Sequence, residues 1–253
     1  MNESVFALGG KHVLISGGGS GLGYGMAKEF LLAGARVTII GRRAEVLVKA
    51  AEELYGEVNP VVCDITSSNS RIEGIAEAVR TFGPIDCLVN NAGIHLKCGL
   101  EEMSMDDFRM VVETHVTSAV GLTQLVVPEM RKRGQGTVIF IGSMTTIIGM
   151  PNVVAYSAAK SALGGVVRAL AVELGSVGIR VNCILPGWIE SPMLHKALDG
   201  DIERKNRILN RTPSKRFGKP ADIGRAAVFL ASEAAVFVNG ALLPVDGGAS
   251  IGF

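Results

Sequence analysis

Short apolar runs alternate along this chain with longer stretches in which apolar residues recur every three or four positions. The runs His12 to Ser16, Val37 to Ile40, Val58 to Cys63, Asp86 to Val89, Val138 to Ile141, Ile179 to Leu185 and Leu242 to Val245 have strand length and are rich in Val and Ile. Between them, Leu22 to Ala33, Arg71 to Phe82, Asp106 to Lys132 and Val154 to Val177 carry the helical period. Such alternation predicts an α/β fold, a doubly wound parallel sheet of about seven strands with helices on both faces. The strand runs are apolar throughout, as burial on both faces of a parallel sheet demands. Right-handed crossovers would place the helices on opposite faces where the strand order reverses.

No Pro/Gly/Ser-rich linker or low-complexity tract divides the 253 residues, so residues 1–253 are read as a single domain. The least regular stretch, Gly187 to Pro220, mixes charges with Trp188, Met193 and Leu194 and is expected to cover a site. With 25 basic and 24 acidic residues the formal net charge is +1, and no long run of one sign points to nucleic acid or an anionic membrane. Cys63, Cys87, Cys98 and Cys183 lack CxxC spacing, which favours reduced thiols and no metal site. Neither a secretory signal nor an apolar run of membrane-spanning length is read, and a cytoplasmic protein is expected.

Directly after the first strand stands Ser16-Gly17-Gly18-Gly19-Ser20-Gly21-Leu22-Gly23, and a helix opens there. Glycines in a strand-turn-helix context permit a tight turn, let backbone N–H groups approach a pyrophosphate, and set a helix N-terminus against its charge. A Rossmann-type dinucleotide site is expected here. The second strand ends Ile39-Ile40-Gly41-Arg42-Arg43, without the acidic residue that would accept hydrogen bonds from an adenosine ribose 2′-OH. A guanidinium there can grip a 2′-phosphate, so Arg42 and Arg43 favour NADP(H), with NAD(H) left open.

These features and several further motifs, in order, resemble the short-chain dehydrogenase/reductases over nearly the whole length. Gly17, Gly21 and Gly23 have that family's spacing, Asp64-Ile65 looks like its adenine-contacting pair, and Asn90-Asn91-Ala92-Gly93 resembles the segment closing the fourth strand beside the cofactor. Ser143, Tyr156-Ser157-Ala158-Ala159-Lys160, Pro186-Gly187 and Val245-Asp246-Gly247-Gly248 continue the likeness. It implies cofactor contacts at Gly17, Gly19, Ser20, Gly21, Leu22, Gly23, Arg42, Arg43, Asp64, Ile65, Asn91, Ala92, Gly93, Tyr156, Lys160, Pro186, Gly187, Ile189 and Ser191. A homotetramer, formed partly by the helices at 106–132 and 154–177, is also what the resemblance implies.

The chemistry implied is hydride transfer between a nicotinamide and an alcohol or carbonyl. Tyr156 and Lys160 are four apart on a predicted helix and share a face. An unperturbed phenol titrates near about 10, and a nearby ammonium is expected to lower that value toward a usable base. Lys160 would also hold the nicotinamide ribose, and Ser143, just past a strand end, would hydrogen-bond the substrate oxygen. His115 stands where the family has an Asn that holds a water next to the lysine. Because imidazole donates, accepts and titrates near neutral pH, His115 is expected to keep that relay in altered form, with plain packing as the alternative.

The expected substrate pocket takes in Ile94 to Leu96 with His95, Met144 to Met150 with Thr145, Asn152, Trp188, Met193 and Leu194. It is mostly apolar, so a hydrophobic, cyclic or aromatic secondary alcohol or ketone fits better than a highly charged metabolite. A 3-oxoacyl thioester or sugar derivative, or a regulatory dinucleotide binder without turnover, are the alternatives the sequence leaves open.

Overall fold

A computed structural model of the chain describes residues 4–191, 194, 198 and 200–252. Its strands are β1 (His12–Ser16), β2 (Arg36–Gly41), β3 (Val58–Val62), β4 (Cys87–Asn90), β5 (Gly136–Ile141), β6 (Ile179–Pro186) and β7 (Leu242–Val245). They form one parallel sheet in the order β3-β2-β1-β4-β5-β6-β7. The expected seven-stranded Rossmann sheet is therefore present, and its order reverses between β1 and β4. β5 starts two residues before the apolar run, because Gly136 and Thr137 already pair with Ile179 and Arg180.

Neighbouring residues on a strand point to opposite faces, and the two cores follow from this. Leu14, Leu88 and Phe140 pack into one apolar layer, while Ile15, Val89 and Ile139 pack into the other. The first layer is covered by α3 (Ser68–Phe82), α5 (Ser118–Arg133) and α6 (Val154–Gly175), through residues such as Ala78, Leu122, Met130 and Leu163. The second lies under α1 (Gly21–Leu32), α2 (Ala44–Glu53) and α8 (Pro220–Ala231), through Met26, Phe30, Leu47 and Ile223. Helices α1 and α8 touch where side chains are absent. A Cβ on Gly25 would come within 2.3 Å of Pro220, and one on Gly224 within 2.6 Å of Glu29.

The stretch read as one helix over 106–132 is interrupted. It consists of α4 (Met105–Val112), a π-helical turn at Glu113–Thr117, and α5. By length and composition the stretch Met105–Arg133 could cross a bilayer. Its residues Val111, Leu122, Val126 and Met130 are instead buried in the fold.

The segment after β6 is more regular than its composition suggests. It contains α7 (Ile202–Arg211), whose first turn is capped by Asp201 accepting from the Arg204 amide at 2.8 Å. The base of the segment is pinched shut: Ile189 and Gly218 form an isolated parallel bridge, with Glu190 N–H donating to Gly218 O (2.8 Å) and Gly218 N–H to Trp188 O (2.9 Å).

Candidate active site

The carboxyl ends of β1, β4, β5 and β6 meet at one edge of the sheet, beside the strand-order reversal, where open α/β sheets bind ligands. Residues 17–20 link β1 to α1 there, and β4 holds this loop in place. Ser16 Oγ accepts from the Asn91 and Ala92 amides, both at 3.0 Å, and Asn91 Nδ2 donates to Ser16 O at 2.9 Å. Gly17 and Gly21 have φ of +66° and +54°, a conformation that favours glycine. A Cβ on Gly17 would press on Ala92, and one on Gly21 would meet nothing within 4 Å and stand in open space.

A groove of about 660 Å³ runs along this edge. Of the residues expected to hold a dinucleotide, Gly17, Gly19, Ser20, Gly21, Leu22, Arg42, Arg43, Asp64, Ile65, Asn91, Ala92, Gly93, Ile189 and Ser191 line it. Arg42 and Arg43 are exposed at its β2 end, and Arg42 joins two hydrogen bonds from Thr66 in lowering the Asp64 pKa, the hydrogen bonds being the larger cause. Gly23, Tyr156, Lys160, Pro186 and Gly187 are not on this wall. Gly23 instead lets α1 approach the loop, since its Cβ would fall 2.1 Å from Gly17 O, and Gly187 lies against Asp246. The groove also takes in Thr66, Thr114 and Val46, which carry no motif and were not foreseen. Its length, its glycine-walled loop at a helix N-terminus, and its basic end fit a nicotinamide dinucleotide.

Past the end of β5, Ser143 is buried and accepts from the Thr145 amide at 3.1 Å, which fixes its hydroxyl toward α6. Tyr156 and Lys160 follow on the first turns of α6, where Ala155 and Ala159 anchor the helix against Val111 of α4. The Ser143 side chain acts on the Tyr156 phenol in the direction that lowers its pKa. Lys160 Nζ lies 5.6 Å from the centre of the Tyr156 ring and donates to Ile141 O at 2.6 Å. The expected trio is thus assembled, but its electrostatics differ from expectation. Burial pushes the Tyr156 phenol up, against the effect of Ser143, and Lys160 does not lower it. The reason is placement: the ammonium sits over the ring face and is turned to a strand carbonyl. Burial also brings Lys160 down to about 8.

His115 sits in the π turn with its ring edge-on to Tyr156, 5.5 Å between centres. Its Nε2 lies 2.7 Å from Ile94 O and 3.1 Å from Ile94 N, while its buried Nδ1 has no hydrogen-bond partner among the described residues. Burial, then the Lys160 charge, drives its pKa to about 3. His115 is therefore neutral throughout the working range, which corrects the expectation that it titrates near neutral pH. Its ring also explains Gly93, where a Cβ would fall 2.1 Å from His115 Cε1.

Among the expected pocket residues, His95 stacks edge-on against Tyr156 with ring centres 5.2 Å apart. Thr145 is buried with its hydroxyl unpartnered, and Met150 and Trp188 are partly exposed on the loops after β5 and β6. Ile94 and Leu96 pack into a small cluster with Phe108 of α4 and Ala155 of α6. Asn152 adopts a left-handed backbone, φ +64°, and its carbonyl accepts from the Cys98 amide at 3.0 Å. Leu194 is buried, and Met193 lies outside the described residues.

A glycine-walled groove reaching Ile94, with His115 between Ile94 and the Ser143, Tyr156 and Lys160 cluster, fits a nicotinamide-dependent oxidoreductase acting on CH–OH groups. A family model described as enoyl-(acyl carrier protein) reductase matches residues 17–250. Gluconate 5-dehydrogenase of Gluconobacter oxydans (strain 621H) is 35% identical over 253 residues, 99% of this chain and 98% of that protein. The 7alpha-hydroxysteroid dehydrogenase of Escherichia coli (strain K12) is 39% identical over 251 residues, 98% and 97% of the two chains. The crystal structure of a gluconate 5-dehydrogenase from Burkholderia cenocepacia J2315 in complex with NADP and tartrate superposes with a TM-score of 0.91 at 31% identity, covering 98% of each chain. The chain belongs to the short-chain dehydrogenase/reductase family. Its cofactor is NAD(P)(H) and its substrates are small molecules.

Proposed function

We propose that the protein interconverts a secondary alcohol and a ketone with a hydrophobic or cyclic body, using NADP(H), with Tyr156 as the acid and base. The convergence of Ser143, Tyr156 and Lys160 beside His115, whose neighbour Ile94 lines the groove, carries this reading. Bound there, the nicotinamide supplies a hydride to the carbonyl carbon or takes one from the carbinol carbon. Ser143 orients the substrate oxygen. Tyr156, whose raised pKa keeps it protonated at neutral pH, donates its proton to that oxygen in reduction; in oxidation it takes the alcohol proton as the phenolate, after its own proton has left to solvent. Lys160, buried and cationic below about pH 8, holds the ribose. His115 acts as a neutral spacer that fixes Ile94 and the Tyr156 ring, and its unpartnered Nδ1 is where a relay water would bind.

Arg42 and Arg43 at the basic end of the groove support NADP(H) over NAD(H). Residues 187–220 cover the substrate. Exposed apolar residues on the proposed contact helices, Met110 on α4, Leu125 on α5, and Val154 and Val172 on α6, support assembly as a homotetramer, which light scattering tests. The test of the reaction follows nicotinamide absorbance with a panel of ketones and secondary alcohols. Turnover should fall by on the order of 10²–10⁴ in Tyr156→Phe. Tight cofactor binding without any turnover would favour a regulatory dinucleotide binder.

A further inference from the structure

In oxidation Tyr156 acts only after its own proton has left, and the groups packed around it differ in whether they can take that proton. Lys160 lies over the ring face, 5.6 Å from its centre, and its Nζ is turned to Ile141 O at 2.6 Å. His115 is committed as well. Its Nε2, 2.7 Å from Ile94 O, carries the ring proton that it donates there, and burial keeps Nδ1 from taking a second one until the pH falls to about 3. His115 can hold a water, but at neutral pH it cannot carry a proton.

His95 is differently placed. Its ring meets Tyr156 edge-on, with centres 5.2 Å apart and planes at 77°, and the residue is exposed on the loop after β4. The loop is clamped on both sides of it. Ile94 and Leu96 pack against Val111 of α4 and Ala155 of α6, and His115 holds Ile94 O. Two residues further on, the Cys98 amide donates to Asn152 O at 3.0 Å. His95, between two inward-turned neighbours, is thereby kept at the surface and against the tyrosine. Among the described residues neither of its ring nitrogens has a hydrogen-bond partner, so both are open to water or substrate. One imidazole thus meets both the acid–base tyrosine and solvent.

We propose that His95 is the proton carrier between Tyr156 and solvent. This rests on the hydride-transfer reading above and adds the route by which the phenol loses and regains its proton. In oxidation the Tyr156 O–H bond breaks and its proton passes, directly or through one water, to a ring nitrogen of His95. The imidazolium releases a proton to solvent, and the phenolate then takes the alcohol proton as the hydride leaves the carbinol carbon. In reduction Tyr156 gives its proton to the carbonyl oxygen, and His95 returns one drawn from solvent. Burial first, then the charges of Lys97 on its own loop and Arg204 on α7, hold the His95 pKa below its ordinary value, so the ring is neutral and able to accept at neutral pH. The other titratable groups around it, among the described residues, are Tyr156 of α6 and His115 of the π turn.

The test follows oxidation of a secondary alcohol that the wild type turns over, in two variants. His95→Phe keeps an aromatic ring against Tyr156 without the nitrogens, and His95→Ala leaves a space. In both, kcat should fall by at least about fivefold, less than the loss of the acid–base group itself because water replaces a carrier slowly. Added imidazole should raise kcat of His95→Ala by at least about threefold. Thiazole, a ring of similar size and a far weaker base, should not, whereas a packing role would be served by both rings alike. A smaller fall in either variant, or a smaller recovery with imidazole, or a recovery matched by thiazole, overturns the proposal and leaves hydride transfer standing. A wild type that turns over no alcohol or ketone with either cofactor overturns the underlying reading instead.

Discussion

The buried imidazole of His115 makes a quantitative prediction about acid stability. In the unfolded chain a histidine titrates near about 6.5, whereas in the fold burial and Lys160 hold His115 near about 3. As pH falls below 6.5 the unfolded chain therefore gains a proton that the native protein refuses, and stability is lost until the native pKa is reached. At pH 5 the native form is still neutral, so the loss depends on the unfolded value alone. About 1.5 pH units at about 1.36 kcal/mol each give roughly 2 kcal/mol. His115→Asn removes this liability. Its packing cost is the same at every pH, so the comparison between two pH values isolates the titration. Urea denaturation of both proteins at pH 7.5 and pH 5 should show the wild type losing about 2 kcal/mol more than the variant on acidification. Parallel losses, within about 0.5 kcal/mol, would refute a native pKa near 3 and restore a titrating role for His115.

Gly93→Ala should destabilise by about 1–3 kcal/mol through overlap with the His115 ring. The double variant with His115→Ala should recover most of that loss, and an additive cycle in thermal or urea unfolding would disprove the contact. Arg42→Asp should lower the NADPH-over-NADH ratio of kcat/KM by roughly tenfold to a hundredfold, the worth of charge-assisted hydrogen bonds to a phosphate. An unchanged ratio would remove Arg42 from cofactor selection. Lys160 has its native pKa near about 8, below its unfolded value, so kcat/KM should bend downward above about pH 8 as its charge is lost. In Lys160→Arg the residual activity should lose that bend, and a bend that stays in place belongs to another group.

Much of the fold was legible because buried parallel strands write themselves as unbroken Val and Ile runs, and their ends placed the glycine loop and Ser143 correctly. What escaped has a physical cause in each case. The π turn at 113–117 differs from an α-helix by a single looser turn, and its residues keep the helical spacing of apolar positions. Helix α7 is half charged and buries only Ile208 fully, so its period hides among polar residues. The lysine was expected to tune the tyrosine because i and i+4 share a face. Spacing cannot reveal that Ile141 O draws the ammonium away from the phenol oxygen. Thr66 and Thr114 reach the groove only through tertiary placement, and no motif marks them.

The pinch between Ile189 and Gly218 joins the two feet of the covering cassette, which is moored at its far side where Ser214 N–H donates to Gly247 O (3.1 Å) and Arg211 Nε to Ala249 O (3.2 Å). With its two feet already joined, a change in its length carries only the slow logarithmic cost of loop closure, about 0.6 kcal/mol per doubling. The sheet need not register a change that keeps Ser191 on the groove wall and the Arg211 and Ser214 moorings in place. Selection acting on what this protein accepts can thus rewrite the cassette while the hydride-transfer machinery is inherited intact, and a designer who transplants those residues exchanges a mouth without disturbing the engine.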